Sequence, residues 1–144
     1  MRKGKLLIIL TLLLTCCSIG EKTANKSSYY DSLTRKHVYA FVEQMPNYKG
    51  GDFEFGNDFF KVFHYDYRED ERIQTSFLVS FVITKEGRLI GARINKEDGD
   101  NTEVEKTVLK SVGQLQNWEA GKHNNKPVNV IKTVRLNIDF QMRH

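Results

Sequence analysis

Cysteine is nearly absent. Of 144 residues only Cys16 and Cys17 carry a thiol. Adjacent cysteines cannot easily bridge each other and no third is present, so no disulfide framework is available. Proline is as scarce, with Pro46 and Pro127 alone, which excludes a long Pro-rich rod. The main apolar run, residues 6–14, is about half of the roughly 20 residues a membrane-spanning helix needs. The four histidines, His37, His64, His123 and His144, never stand four apart, so a helical zinc pair is excluded. No G-x-S-x-G elbow and no phosphate-cradling glycine loop occurs. Asp98-Gly99-Asp100-Asn101-Thr102-Glu103 has the acids of a calcium loop but neither their order nor the distal Glu. His64-Tyr65-Asp66 with Glu69, Asp70 and Glu71 reads as a solvated charged loop. No catalytic residue, metal ligand or cofactor is expected.

The formal charge of +4 is misleading. Arg2, Lys3 and Lys5 belong to a leader, and removing these three from 22 basic residues leaves 19 against 18 acidic ones. No basic stripe remains, so a nucleic-acid partner has little electrostatic support. The leader is a short basic start, an apolar core and then Thr15, Cys16, Cys17 and Ser18, the pattern of a secretory signal. Leu14-Thr15-Cys16-Cys17 also resembles a bacterial lipoprotein box, in which the signal is cut before a Cys that is then acylated. Cys17, three after Leu14 and followed by Ser18, is the expected lipidated residue. Acylation at Cys16, or a plain secreted protein, are the alternatives. Both thiols fall in this region, which removes thiol catalysis. Residues 1–16 are thus read as signal peptide and 17–36, polar and without core spacing, as a flexible tether.

Residues 37–144 carry the pattern of one domain, large enough to bury a core without disulfides. Residues 37–42 alternate weakly, as a short edge strand would. Pro46, Gly50 and Gly51 mark a turn. A helix is expected from about Asp52, an acid at the positive end of the helix dipole, with Phe55, Phe59, Phe60, Val62 and Phe63 at helical spacing on its core face. Residues 73–83 alternate as a strand, Lys85-Glu86-Gly87 is a hairpin loop with Gly at the left-handed position, and residues 89–94 return. Thr102-Glu103-Val104-Glu105 is a capping box ahead of a second helix whose buried face is Val104, Val108, Leu109, Val112 and Leu115.

After Trp118, the only tryptophan, the chain turns through residues 121–127 and becomes a long strand. Val128, Val130, Val134, Leu136, Ile138 and Phe140 share one parity; Asn129, Thr133, Arg135, Asn137 and Asp139 share the other. Lys132 and Ile131 break the pattern, which implies either a bulge or a second face that something covers. The order helix, hairpin, helix, strand predicts an α+β fold: a small antiparallel three-stranded sheet with two helices on one face. The hairpin strands pair with each other, so the last strand takes an outer place with a free backbone edge.

Three blocks carry a family resemblance: Glu43-Gln44-Met45-Pro46-Asn47-Tyr48-Lys49-Gly50-Gly51; Val79-Ser80-Phe81-Val82-Ile83-Thr84-Lys85-Glu86-Gly87; and Trp118-Glu119-Ala120-Gly121-Lys122 with Lys126-Pro127-Val128-Asn129-Val130. In this order they resemble the C-terminal domain of TonB-type energy transducers, over roughly residues 41–140. The resemblance implies the same fold and no enzymatic activity. It also implies that a short receptor segment, the TonB box, pairs with the last strand. Carried over by strand position, that edge is Val130, Ile131, Lys132, Thr133, Val134, Arg135, Asn137 and Asp139. The implied partner is a protein or peptide, such as a TonB-dependent receptor segment. The implied place is the periplasm-facing side of a Gram-negative envelope membrane, held by a lipid anchor. The transducer's inner-membrane helix and Pro-rich rod have no counterpart here. A self-associating scaffold, in which two copies pair as a homodimer through the same edge, is the alternative.

Overall fold

The computed structural model describes residues 28–66, 73–95 and 102–140. The leader with Cys16 and Cys17, the acidic run at Glu69, Asp70 and Glu71, Asp98 to Asn101 of the loop before the second helix, and His144 lie outside the described residues.

In chain order the elements are β1 (Tyr29–Asp31), β2 (Lys36–Val38), β3 (Asn47–Tyr48), α1 (Gly51–Val62), β4 (Ile73–Ile83), β5 (Leu89–Ile94), α2 (Glu103–Gln114), β6 (Trp118–Glu119), β7 (Lys122–His123), β8 (Lys126–Pro127) and β9 (Val130–Phe140). The main sheet is antiparallel in the order β5-β4-β9. The α+β architecture read from the sequence is the one observed. β9 pairs with β4 from Ile83↔Val130 to Ile73↔Phe140 without a break. No bulge separates Ile131 from Lys132.

Alternation then sorts the side chains. Phe77, Val79, Phe81, Ile83, Leu136 and Ile138 face both helices and share one core with Phe55, Phe59, Phe63, Val108, Val112, Leu115 and Trp118. The helices form where the pattern predicts. Gly50, at φ 90°, precedes α1, and Asp52 and Glu54 sit in its first turn. Phe55, Phe59 and Phe63, four apart, make its buried stripe. Thr102 caps α2: its hydroxyl accepts from the Glu105 amide while the Glu105 carboxylate accepts from the Thr102 amide. Tyr48 is wedged between Phe55 and Trp118, at ring distances of 5.4 and 5.1 Å. Burial, and then its hydrogen bond to Asp58, push the Tyr48 phenol up to about 12.

The opposite face holds two departures from the sequence reading. Residues 29–36 do not belong to a tether. β1 and β2 form a hairpin over β5, and Tyr39 runs on as a parallel bridge to Val130 rather than as an edge strand. The cause is local chemistry. The Asp31 carboxylate accepts from the Thr34 hydroxyl at 2.5 Å and from its amide at 3.1 Å, closing the turn. It also pairs with Arg93 of β5 at 2.9 Å. Burial raises the Asp31 pKa, but the Thr34 hydrogen bonds and Arg93 together outweigh it, so the carboxyl lies below its ordinary value. Gly91 lets this loop approach, since a Cβ there would collide with Thr34. On the same face Ile131 lies beside Val82, which is fully buried.

Asp31→Ala should lower the unfolding free energy by about 2 kcal/mol, the usual worth of a buried charge-assisted network. Because the folded pKa is depressed, this contribution is complete above the unfolded value of about 3.9 and is lost as the pH falls below it. Chemical denaturation of wild type and variant at pH 7 and pH 3 reads this: the gap between them should shrink at the lower pH. Gly87 combines φ 79° with a Trp118 carbonyl oxygen 2.7 Å from where a Cβ would stand. Gly87→Ala should therefore cost about 2 kcal/mol in the same measurement, and a change under a few tenths would contradict the strain.

Candidate functional site

In an antiparallel sheet, alternate residues aim both backbone groups to the same side. Tyr39 fixes which residues of β9 aim away from β4. Its amide donates to the Asn129 carbonyl at 2.9 Å, and the Ile131 amide donates to the Tyr39 carbonyl at 2.9 Å. Odd-numbered positions therefore point outward. Thr133, Arg135 and Asn137 follow, and among the described residues no strand pairs with them.

A groove of about 440 Å³ runs along this edge. One wall is α1, through Asp52, Phe55, Gly56, Phe59 and Phe60; the other is β9 over residues 132–137. Phe60 is 56% exposed. Lys132, on the helix side, sets its ammonium 5.6 Å from the Trp118 ring centroid, which explains how a lysine occupies an apolar position. On the other face Thr133 shares a 2.6 Å hydrogen bond with Ser80, to which Asn95 also donates at 2.8 Å. Arg135 donates to the Ser76 hydroxyl at 3.0 Å. These cross-strand bonds hold the outer strand to β4 and leave the outward backbone groups of Thr133, Arg135 and Asn137 without a partner strand among the described residues.

The edge positions expected from the sequence thus separate into three sets. Thr133, Arg135 and Asn137 turn their backbone outward along the groove, and Asp139 has the same parity. Lys132 and Val134 turn their backbone to β4 and their side chains to the helix side. Val130 and Ile131 fall where Tyr39 already occupies the edge. Cys17 lies outside the described residues. Asp52, Gly56 and Phe60 were not foreseen as site residues. Phe60, expected on the core face of α1, is exposed instead, because Phe55, Phe59 and Phe63, four apart, already complete the buried stripe and Phe60 lies one position off it; Phe53 is 80% exposed.

The bridging segment is itself held. His123 shares a 3.0 Å hydrogen bond with Glu43, whose carboxylate also accepts from the Asn124 amide at 3.3 Å. The Tyr39 and His123 rings lie 4.9 Å apart. Its own backbone amide, and then His123, hold the Glu43 carboxyl below its ordinary range.

Among the described residues no group of three or more His, Cys, Asp or Glu could hold a metal ion. An outer strand that, among the described residues, has no further partner strand along residues 132–137, beside a groove of mixed apolar and polar lining, gives a small α+β domain with an open sheet edge. Residues 67–142 match the family model for the Gram-negative bacterial TonB protein C-terminal, and the chain belongs to that family. No curated protein and no solved structure matches it. The family is one of non-enzymatic interaction domains in the periplasm of the Gram-negative envelope. The matched segment contains β4, β5, α2 and β9; the helical wall of the groove precedes it.

Glu43→Gln should loosen the Tyr39 bridge and reduce amide-exchange protection at Ile131 several-fold. The depressed carboxyl makes its contribution complete above the unfolded value of about 4.3, lost as the pH falls below that. Protection at Ile131 that is the same in wild type and variant at pH 6.5 would show that the clamp does not hold the bridge.

Proposed function

We propose that this protein is a lipid-anchored, periplasm-facing binding module that captures an extended peptide by β-strand addition to β9. The observation that carries this is the row of outward backbone groups at Thr133, Arg135 and Asn137 along an open groove. Main-chain hydrogen bonds supply the affinity in such pairing, and alternate side chains supply the selectivity. Family membership favours a segment of a TonB-dependent receptor as the peptide. The lipid anchor rests on Leu14-Thr15-Cys16-Cys17, with Cys17 as the acylated residue. Several acyl chains, at about 0.8 kcal/mol per buried CH₂, would hold it firmly.

Thr133→Pro tests the reading when set beside Thr133→Val. The Thr133 amide faces away from β4, so proline removes an outward donor without breaking the ladder that holds the strand. Receptor-derived TonB-box peptides titrated into the full chain should shift amides over residues 132–139. The variant should bind at least tenfold more weakly than Thr133→Val, which gives up the same Ser80 hydrogen bond but keeps the amide, and both should unfold below the wild-type midpoint. Equal peptide binding by wild type and variant would sink the proposal. A chain that sediments as a dimer at high micromolar concentration, and as a monomer once Thr133 is proline, would assign the edge to a second copy instead.

A further inference from the structure

The groove beside β9 has a floor that the chain does not use. Resting on the strand-addition reading, we propose that it is a side-chain pocket, selecting a partner segment of net negative charge that carries one large apolar side chain. Gly56 is the first observation. A Cβ built there would meet nothing within 4 Å, as at Gly113 of α2, but of these two glycines only Gly56 lines the groove. Glycine inside a helix weakens it relative to alanine. Here neither a positive φ nor a close neighbour requires it. What the bare backbone provides is space in the groove.

Phe60 is the second. It follows Gly56 by one helical turn, on the same face, and keeps an aromatic ring 56% exposed over the groove. Phe55, Phe59, Val134 and Leu136 complete an apolar lining. The third observation is parity. An added strand continues the pleat of β9, so its residues opposite Val134 and Leu136 point toward the helix side, into the groove. Their neighbours point to the other face, beside Arg135. The groove's about 440 Å³ leaves room for a ring at the Gly56 position. Lys132 on the helix side and Arg135 on the other face flank the open edge, and Asp52 is the one acid lining the groove, which favours a segment of net negative charge.

The test uses the full chain and two fluorescent peptides that alternate threonine with valine and end in aspartates. They differ only at the central position, Phe in one and Ala in the other. Fluorescence polarisation should show the Phe peptide binding about tenfold tighter, as burial of a ring on one side predicts. Gly56→Phe, which fills the pocket from the chain's own side, should bring the ratio of affinities to about one. Phe60→Ala, at an exposed position that does not threaten folding, should narrow it, and Phe53→Ala, outside the groove, should leave it unchanged. Circular dichroism checks that each variant is folded. Equal affinities for the two peptides, or a ratio untouched by both Gly56→Phe and Phe60→Ala, would overturn the pocket while leaving strand addition standing. If neither peptide binds at millimolar concentration, or Thr133→Pro leaves both bound as before, strand addition itself fails and the pocket falls with it. A concentration-dependent dimer dispersed by Gly56→Phe would assign the groove to a second copy and likewise overturn the peptide pocket.

Discussion

The unbroken ladder between β4 and β9, from Ile73↔Phe140 to Ile83↔Val130, is the constraint on which the rest depends. Side chains alternate with a period of two, so a slip of one residue would turn every core residue of β9 to the wrong face. The observed register places Leu136 and Ile138 under the helices and sets Thr133 against Ser80. Ser80 is only 3% exposed, and its hydroxyl is satisfied by Thr133 and Asn95 together. A slipped register would part Thr133 from Ser80 and weaken that satisfaction, at the cost typical of a buried polar group without a full set of partners. The β4–β5 side is different. Its register shifts between Ser80 and Val82, and Gly91 sits there with φ 62°. The regular side of the sheet therefore carries the outer strand, and the irregular side accommodates the N-terminal hairpin.

An outer strand is a hazard as well as an opportunity, because its unused backbone groups will pair with any extended chain. The fold limits the hazard by division. Tyr39 closes the edge at Asn129 and Ile131, and the contacts of Glu43 and His123 hold that closure in place. Beyond it, α1 stands close enough to form a groove wall, so an incoming strand must fit between a helix and the solvent. On the strand-addition proposal, selectivity would arise from the helix and adhesion from the backbone of β9.

The parts of this arrangement legible in the sequence were those set by periodicity and by stop signals. The strands Ile73–Ile83 and Leu89–Ile94, the Thr102 cap and the turn at Gly87 follow from residue pattern alone. The β1–β2 hairpin was not legible. Its strands are three residues each, and Tyr29, Tyr30 and Leu33 are exposed. No alternation could therefore reveal it. Its stability lies in Asp31 reaching Arg93, a contact between residues far apart in the chain. The sequence clue was the Asp31-Ser32-Leu33-Thr34 turn, which is weak without its partner. The mismatch at Ile131 and Lys132 was visible, and of the two causes it admits, a covered second face is the one present. The groove was hidden for another reason. Core packing and ligand contact both call for phenylalanine at helical spacing, and only the orientation of α1 against β9 separates Phe59 from Phe60.

The hairpin also changes what an anchor can do. With residues 29–38 folded onto the sheet, the segment between Cys17 and the domain is residues 18–28. Even fully extended, such a stretch spans about 37 Å, against about 70 Å for a tether that ran to Lys36. Each residue that joins the fold shortens the reach and raises the local concentration of the domain near its membrane. A chain anchored at Cys17 would therefore hold its open edge close to the bilayer surface and could not carry it across the compartment. That geometry suits capture of segments presented at the same membrane. Pro46 and Pro127 both lie inside the domain, so residues 18–28 contain no proline to stiffen them.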